Sequence, residues 1–274
     1  FIGTTPEQAA ATSGFIGGIL AALMRKGSVC LWISTSNRLF PPAIKHFGVE
    51  PDRIIFIEAR REKDILWALE EDLKCDRLIA AAQREFAARG VDASLEKIAR
   101  DANVAIGTLY RHFPTRLDLL LAAFRPRLRE FLDEAKKALE LEDPWEGFVR
   151  YLENLFGMQA GDKGFNDFLS RRFPGNADTE LIHDQMCRQI EGVLTRAQEA
   201  GEARADITQA DIVTLIWSNG RIIDATSSTA PNAWRRYLAL MLDAYRAERA
   251  HPIAEPPMTD GQLYDAMVRL SEPE

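Results

Sequence analysis

From Asp76 to the end of this 274-residue chain, no segment reads as a strand. Apolar residues recur there every three or four positions, in runs over 77–89, 94–101, 106–113, from 115 into the 130s, and then about 145–157, 178–200, 208–225 and 231–249. A period of 3.6 residues marks one face of an α-helix. Everything past residue 75 is therefore confined to packing helix on helix. The tail is Pro-rich at first (Pro252, Pro256, Pro257), and a short last helix is expected at Gly261 to Leu270.

The first 75 residues follow another pattern. A small-residue helix, about Glu7 to Arg25, leads to the apolar run Val29–Ser34, which predicts a buried parallel strand. A loop with Pro41 and Pro42, a short helix and a second buried strand over Arg53–Ala59 follow. Glu62 to Leu73 then spaces Ile65, Leu66, Leu69 and Leu73 along one helical face. The predicted architecture is mainly α, with a truncated α/β unit (1–75), a three-helix unit and its following helix (76–122) and an all-helical remainder (123–274).

Charge separates these parts. The chain carries a net −7, but residues 1–75 hold nine basic against nine acidic side chains, and residues 76–125 eight against six. The one basic stretch is thus the three-helix unit, while the acidic remainder repels phosphates. Cys30, Cys75 and Cys187 lie far apart, outside any metal-ligand spacing, which predicts no metal site and a reducing, cytoplasmic setting. The uncharged run from Gln8 to Met24 is too short and too polar for a membrane span, and a buried helix is expected instead. The sequence begins at Phe1 rather than Met, so its natural start is expected upstream. No Ser/His/Asp or Cys/His arrangement or complete phosphate loop can be assembled, so neither an enzyme nor a cofactor is expected.

Within 76–122 the local signals are dense. Leu78, Ile79, Ala82 and Phe86 form the inner face of a first helix, and Gly90 supplies a left-handed stop. Ser94 is placed to cap a second helix, with Leu95, Ile98 and Ala99 inward. After a turn at Ala102 to Val104, a third helix points Leu109 and Phe113 inward. Ile106, Gly107, Thr108, Tyr110, Arg111 and His112 are left on or near its outer side. Thr115 and Asp118 have the spacing of a capping box. Two short helices joined by a tight turn let the second enter a major groove of double-stranded DNA.

The stretch IARDANVAIGTLYRHFPTRLDLL closely resembles the TetR family of bacterial regulators, above all in its GTLYRHF core. The resemblance implies a dimeric regulator of a two-fold symmetric operator, responsive to a small-molecule effector of unknown identity. It also implies that Thr108, Tyr110 and His112 touch DNA and that Arg116 grips a phosphate. Ala105 stands where a small hydroxyl residue is common, which weakens the cap. The phrase AQEAGEARADITQADI and the two helices after it are similar to family members with an SbtR-like C-terminal domain. In that group the last two large helices pair with their copies, and Leu215, Ile216, Ile222, Leu238, Leu240, Met241 and Tyr245 could form the seam. Candidates for an effector pocket are Trp145, Phe148, Tyr151, Phe168, His183, Met186, Trp217 and Arg221, most of them expected to be core; Phe156 and Phe165 belong to the same aromatic set.

Residues 1–75 resemble RecA-like accessory proteins of inducible mutagenesis, through AAATSGFIGGILAAL, CLWIS and the stretch from Leu39 to Cys75. The segment in the position of a phosphate loop, Gly3 to Phe15, lacks the Lys that nucleotide phosphates require. The alternative function is therefore a DNA-repair accessory role acting through residues 1–75, without nucleotide chemistry.

Overall fold

A computed structural model describes residues 15–22, 24, 30–34 and 45–271. Contacts divide the chain into two compact units, Phe1–Asp76 and Arg77–Glu274.

In the first unit, residues 15–22 are helical, and strands β1 (Cys30–Ser34) and β2 (Ile54–Glu58) pair in parallel, with Cys30 opposite Ile54 and Ser34 opposite Glu58. Short 3₁₀ turns at Lys45–Phe47 and Pro51–Arg53 lead into β2. The small core is Ala21, Met24, Val49 and Ile54, and Arg53 donates to the Met24 carbonyl at 2.9 Å. The strands are parallel as expected but mostly uncovered: Ile54 is buried, Ile55 and Phe56 are exposed, and β1 is half-buried throughout. A parallel sheet is buried only when helices cover both faces, and two strands leave little to cover. The phosphate-loop stretch, all but its last residue, and the Pro41–Pro42 loop lie outside the described residues.

Helix α1 runs without a break from Glu62 to Arg89. The sequence suggested two helices meeting near Cys75, but LKCDRL contains neither Gly nor Pro, and nothing local stops propagation. The face expected to bury Leu66, Leu69 and Leu73 is solvent-exposed, with Leu66 at 71% and Trp67 at 62%.

The second unit is all helix. Helices α2 (Leu95–Asp101) and α3 (Ile106–His112) form the helix-turn-helix, followed by α4 (Arg116–Glu140). Then come α5 (Pro144–Gly161), α6 (Lys163–Ser170), α7 (Ala177–Glu199), α8 (Gln209–Thr226), α9 (Ala233–Tyr245) and α10 (Asp260–Arg269). Helix α6 falls in the gap between the helical runs expected at about 145–157 and 178–200. Asp162 ends α5 and caps α6 at once, accepting from the Phe165 amide at 2.9 Å. Helices α4, α5 and α7 pack on one another, and α8 lies against α5, α6, α7 and α9. Their core is aromatic: Phe124 meets Phe86, Phe165 and Phe168 with ring centroids 5.5–6.0 Å apart. Of the expected dimer seam, Leu215, Ile216, Leu238 and Tyr245 are buried within the chain, because these helices turn that side to the core. Leu240 is exposed, and Ile222 and Met241 are half-buried. Among the described residues no helix is long and apolar enough to cross a membrane, and no cluster of His, Cys, Asp or Glu could hold a metal.

Candidate DNA interface and effector cavity

Local chemistry builds the helix-turn-helix. Gly90 ends α1 at φ +87°, a conformation costly for any residue with a Cβ. Ser94 accepts the Lys97 amide at 3.2 Å, capping α2, whose Leu95, Ile98 and Ala99 are buried with Leu78, Ala82 and Phe86 of α1; Ile79 is half-buried. Asn103, at φ 55°, makes the turn. Ala105 starts α3 without a side-chain cap, and Thr115 and Asp118 form a reciprocal capping box on α4. Lys97 ties the unit together, reaching Glu85 at 2.7 Å and Asp101 at 2.6 Å; these bonds hold its amine above the ordinary lysine range.

Helix α3 is thereby turned with Leu109 fully buried, 0% exposed, and Phe113 beside it in the core. Ile106, Gly107, Tyr110 and Arg111 are exposed, Tyr110 at 47%, as is Thr115, while Thr108 and His112 are half-buried. One side of a seven-residue helix thus offers a phenol, a guanidinium and an open glycine backbone together. Arg116 sits differently from the rest. Its Nη1 donates to the Val91 carbonyl at 3.0 Å and the Ala93 carbonyl at 2.6 Å, clamping the loop between α1 and α2.

Helix α6 joins this unit to the remainder. Asp167 accepts the Val91 amide at 3.2 Å, and burial pushes its carboxyl above the usual range while that bond pulls it back. Gly164 lies so close to the Phe86 carbonyl that a Cβ would stand 2.7 Å from it. At the other end of α6, Leu169 within the helix and Arg172 just past it line a cavity of about 230 Å³.

That cavity lies among α4, α6, α7, α8 and α10, and Phe131, Met186, Ile190, Val213, Leu263 and Met267 supply its apolar lining. Its polar members are Arg172, His183, Asp184, Cys187, Gln209, Asp260 and Tyr264. His183 is 3% exposed, and burial first, then the Arg172 charge, lowers its pKa to about 4. Of the eight pocket candidates, only His183 and Met186 line this cavity. Trp217 and Arg221 line a separate groove of about 850 Å³ with Asp92 and Asp167. The remaining four are core. Phe168 stacks on His183 at 6.0 Å, and Tyr151 packs edge-on against Phe131 at 5.8 Å. Trp145 meets Phe148 at 5.5 Å and carries the Arg246 guanidinium 4.1 Å above its ring. Sequence reasoning favoured large aromatics, but these fill the core because they bury the most area, and smaller residues border the void. The wall from α10 was also missed. Leu263 and Met267, four residues apart in the expected last helix, were the available signal.

A helix-turn-helix with a polar outer face, followed by an all-helical domain enclosing a small cavity, defines a DNA-binding transcriptional regulator. Residues 78–123 match the bacterial regulatory proteins of the tetR family, and residues 143–247 match the SbtR-like transcriptional regulator C-terminal domain. The HTH-type transcriptional regulator SrpR of Pseudomonas putida is 33% identical over 144 residues, 49% of this chain and 66% of that protein. TtgW, an uncharacterized HTH-type transcriptional regulator of the same species, is 35% identical over 112 residues, 40% of this chain and 81% of that protein. The HTH-type transcriptional repressor KstR of Rhodococcus jostii is 27% identical over 159 residues, 52% and 74% of the two chains. This chain belongs to the TetR family of bacterial regulatory proteins.

Proposed function

We propose that this protein is a ligand-responsive repressor that binds a two-fold symmetric operator as a homodimer in the cytoplasm. One observation carries the reading: α3 buries Leu109 completely and turns Tyr110 and Arg111 outward. Its N-terminal half, with Ile106, Gly107 and Thr108, would meet base edges, while Tyr110, Arg111, His112 and Thr115 would reach sugar and phosphate. Arg116 would act mainly by holding the α1–α2 loop. Each chain has one such helix, and a dimer supplies two half-sites related by its own symmetry axis. Of the seam expected from the sequence, Leu240, Met241 and Ile222 are the side chains left open to a second copy. An effector in the 230 Å³ cavity would act through α6, which borders the cavity at one end and binds the Val91 amide from its middle.

Selection of bound sequences from random duplex DNA tests this reading. The expected product is an inverted repeat with half-sites about one helical turn, or a multiple of it, apart. Full-affinity binding of a single asymmetric site by a monomer would overturn it. The second reading, a RecA-like accessory function of residues 1–75, gains nothing from either family match, both of which lie past residue 77, and two parallel strands are common to many α/β folds. A polymerase reading frame beside this one, with no operator nearby, would support it.

A further inference from the structure

We infer that the cavity bounded by α10 takes a small, uncharged, hydroxyl-bearing ring compound, held through His183 and Arg172. This rests on the reading above, in which the C-terminal domain receives an effector, and adds the chemical class of that effector.

The argument begins with two buried nitrogens. His183 Nε2 and Arg172 Nε each lack a hydrogen-bond partner among the described residues, although both atoms are buried, the residues being 3% and 9% exposed, and both residues line the cavity. A buried polar atom left unpaired costs about 1–3 kcal/mol, so two at one cavity mark a place where something else completes them. Their needs differ. The Arg171 backbone favours a proton on the His183 ring, opposing the effect of burial; with that proton on Nδ1, Nε2 is the bare nitrogen. The ring is neutral at pH 7, so Nε2 presents a bare lone pair, an acceptor. Arg172 Nε–H is a donor. A hydroxyl serves either atom, donating to Nε2 or accepting from Nε–H.

The surroundings select against charge. Arg172 is already neutralised by Glu180 at 2.8 Å, so an anion would find no uncompensated cation. Asp184 and Asp260, both exposed members of the cavity lining, repel anions further. The apolar lining includes Phe131, Met186, Ile190, Val213 and Ile216, which suits a ring. A volume of about 230 Å³ lies below the ~300–1,000 Å³ of sites for drug-sized ligands, which limits the occupant to one or two rings.

Helix α10 closes the cavity, and it lies beyond residue 247, where the C-terminal family match ends. It is fastened at both ends. Leu263 and Met267 pack on Ala210 and Val213 of α8. The Arg172 amide donates to the Met267 carbonyl at 3.2 Å, the Ser271 hydroxyl donates to the Arg172 carbonyl, and the Arg172 guanidinium lies 5.4 Å from the Tyr264 ring centroid. The residue offering the donor is therefore the residue that anchors the lid.

The test is calorimetric titration and thermal melting of the full chain, free of DNA. The probes are phenol, 4-isopropylphenol and 2-naphthol, each beside its parent hydrocarbon, its carboxylate and its aminomethyl analogue. At least one phenol is expected to raise the melting temperature and to bind tenfold or more tighter than all three of its counterparts. His183→Phe keeps the ring stacked on Phe168 but removes the acceptor, so it should erase the preference for hydroxyl over hydrocarbon while hydrocarbon binding persists. If that variant does not fold, the wild-type series still decides. Equal binding of phenol and hydrocarbon, preference for carboxylate or ammonium, or binding of no probe overturns the inference. Selective DNA binding is measured separately, so a protein that binds an operator but prefers no phenol removes only this inference. One that prefers phenols but selects no DNA removes only the regulator reading.

Discussion

Replacing Arg116 by Ala separates two roles that the same residue could play. Its Nη1 donates to two carbonyls, Val91 at 3.0 Å and Ala93 at 2.6 Å, in the loop that sets α2 against α1. A hydrogen bond from a charged donor contributes about 1.5–3 kcal/mol, and water can partly replace it at a half-buried site. The substitution should therefore cost about 2–3 kcal/mol. For a unit of this size that corresponds to a fall in melting temperature of about 5–10 °C. Arg116→Lys, with a compact ammonium in place of the planar fork, should fall between wild type and Ala. The assay pairs thermal unfolding with operator affinity over a range of salt concentrations. A lost phosphate contact lowers the slope of log affinity against log salt by about 0.9, whereas a lost internal clamp weakens binding with the slope unchanged. A melting temperature within about 2 °C of wild type together with a slope reduced by about one would refute the clamp.

Three further outcomes are expected. Tyr110→Ala should shift stability by less than about 0.5 kcal/mol while weakening operator binding about tenfold, and Leu109→Ala should cost about 2–5 kcal/mol; similar melting losses in both would mean that the faces of α3 are wrongly assigned. Deletion of residues 1–75 should leave a cooperatively melting, DNA-binding protein, because α1 keeps Leu78, Ala82 and Phe86 in the core while Leu66, Trp67, Leu69 and Leu73 are exposed; aggregation or loss of a cooperative melt would assign the first unit a structural role. Because Lys74 pairs with Glu70 at 2.8 Å and Glu71 at 3.1 Å, the deletion should change operator affinity by less than about threefold rather than raise it strongly. His183 is neutral in the fold and its pKa is lowered to about 4 from 6.5, so its contribution is constant above pH 6.5 and becomes destabilising as pH falls from there to about 4, by up to about 3 kcal/mol. Wild type should therefore lose more stability than His183→Phe between pH 7 and 5, as read by urea unfolding at each pH; parallel losses would contradict the burial argument.

Sequence alone determined what short-range chemistry controls in this protein. Gly90, Ser94, Ala105, Thr115 and Asp118 act within one turn of themselves, so the stops and caps of the helix-turn-helix were legible, as was the inward set Leu78, Phe86, Ile98 and Leu109. The 3.6-residue period likewise decided the fold class past residue 76, because every helix there buries one stripe. Tertiary structure decided what depends on partners distant in sequence. It exposed a leucine face that periodicity had assigned to a core, because periodicity marks an apolar stripe but not whether anything covers it. It drew Arg116 onto two carbonyls more than twenty residues earlier in the chain, and it put the largest aromatics into the core while Arg172, His183 and α10 came together around a void. A cavity is space left by packing, and no single residue encodes it.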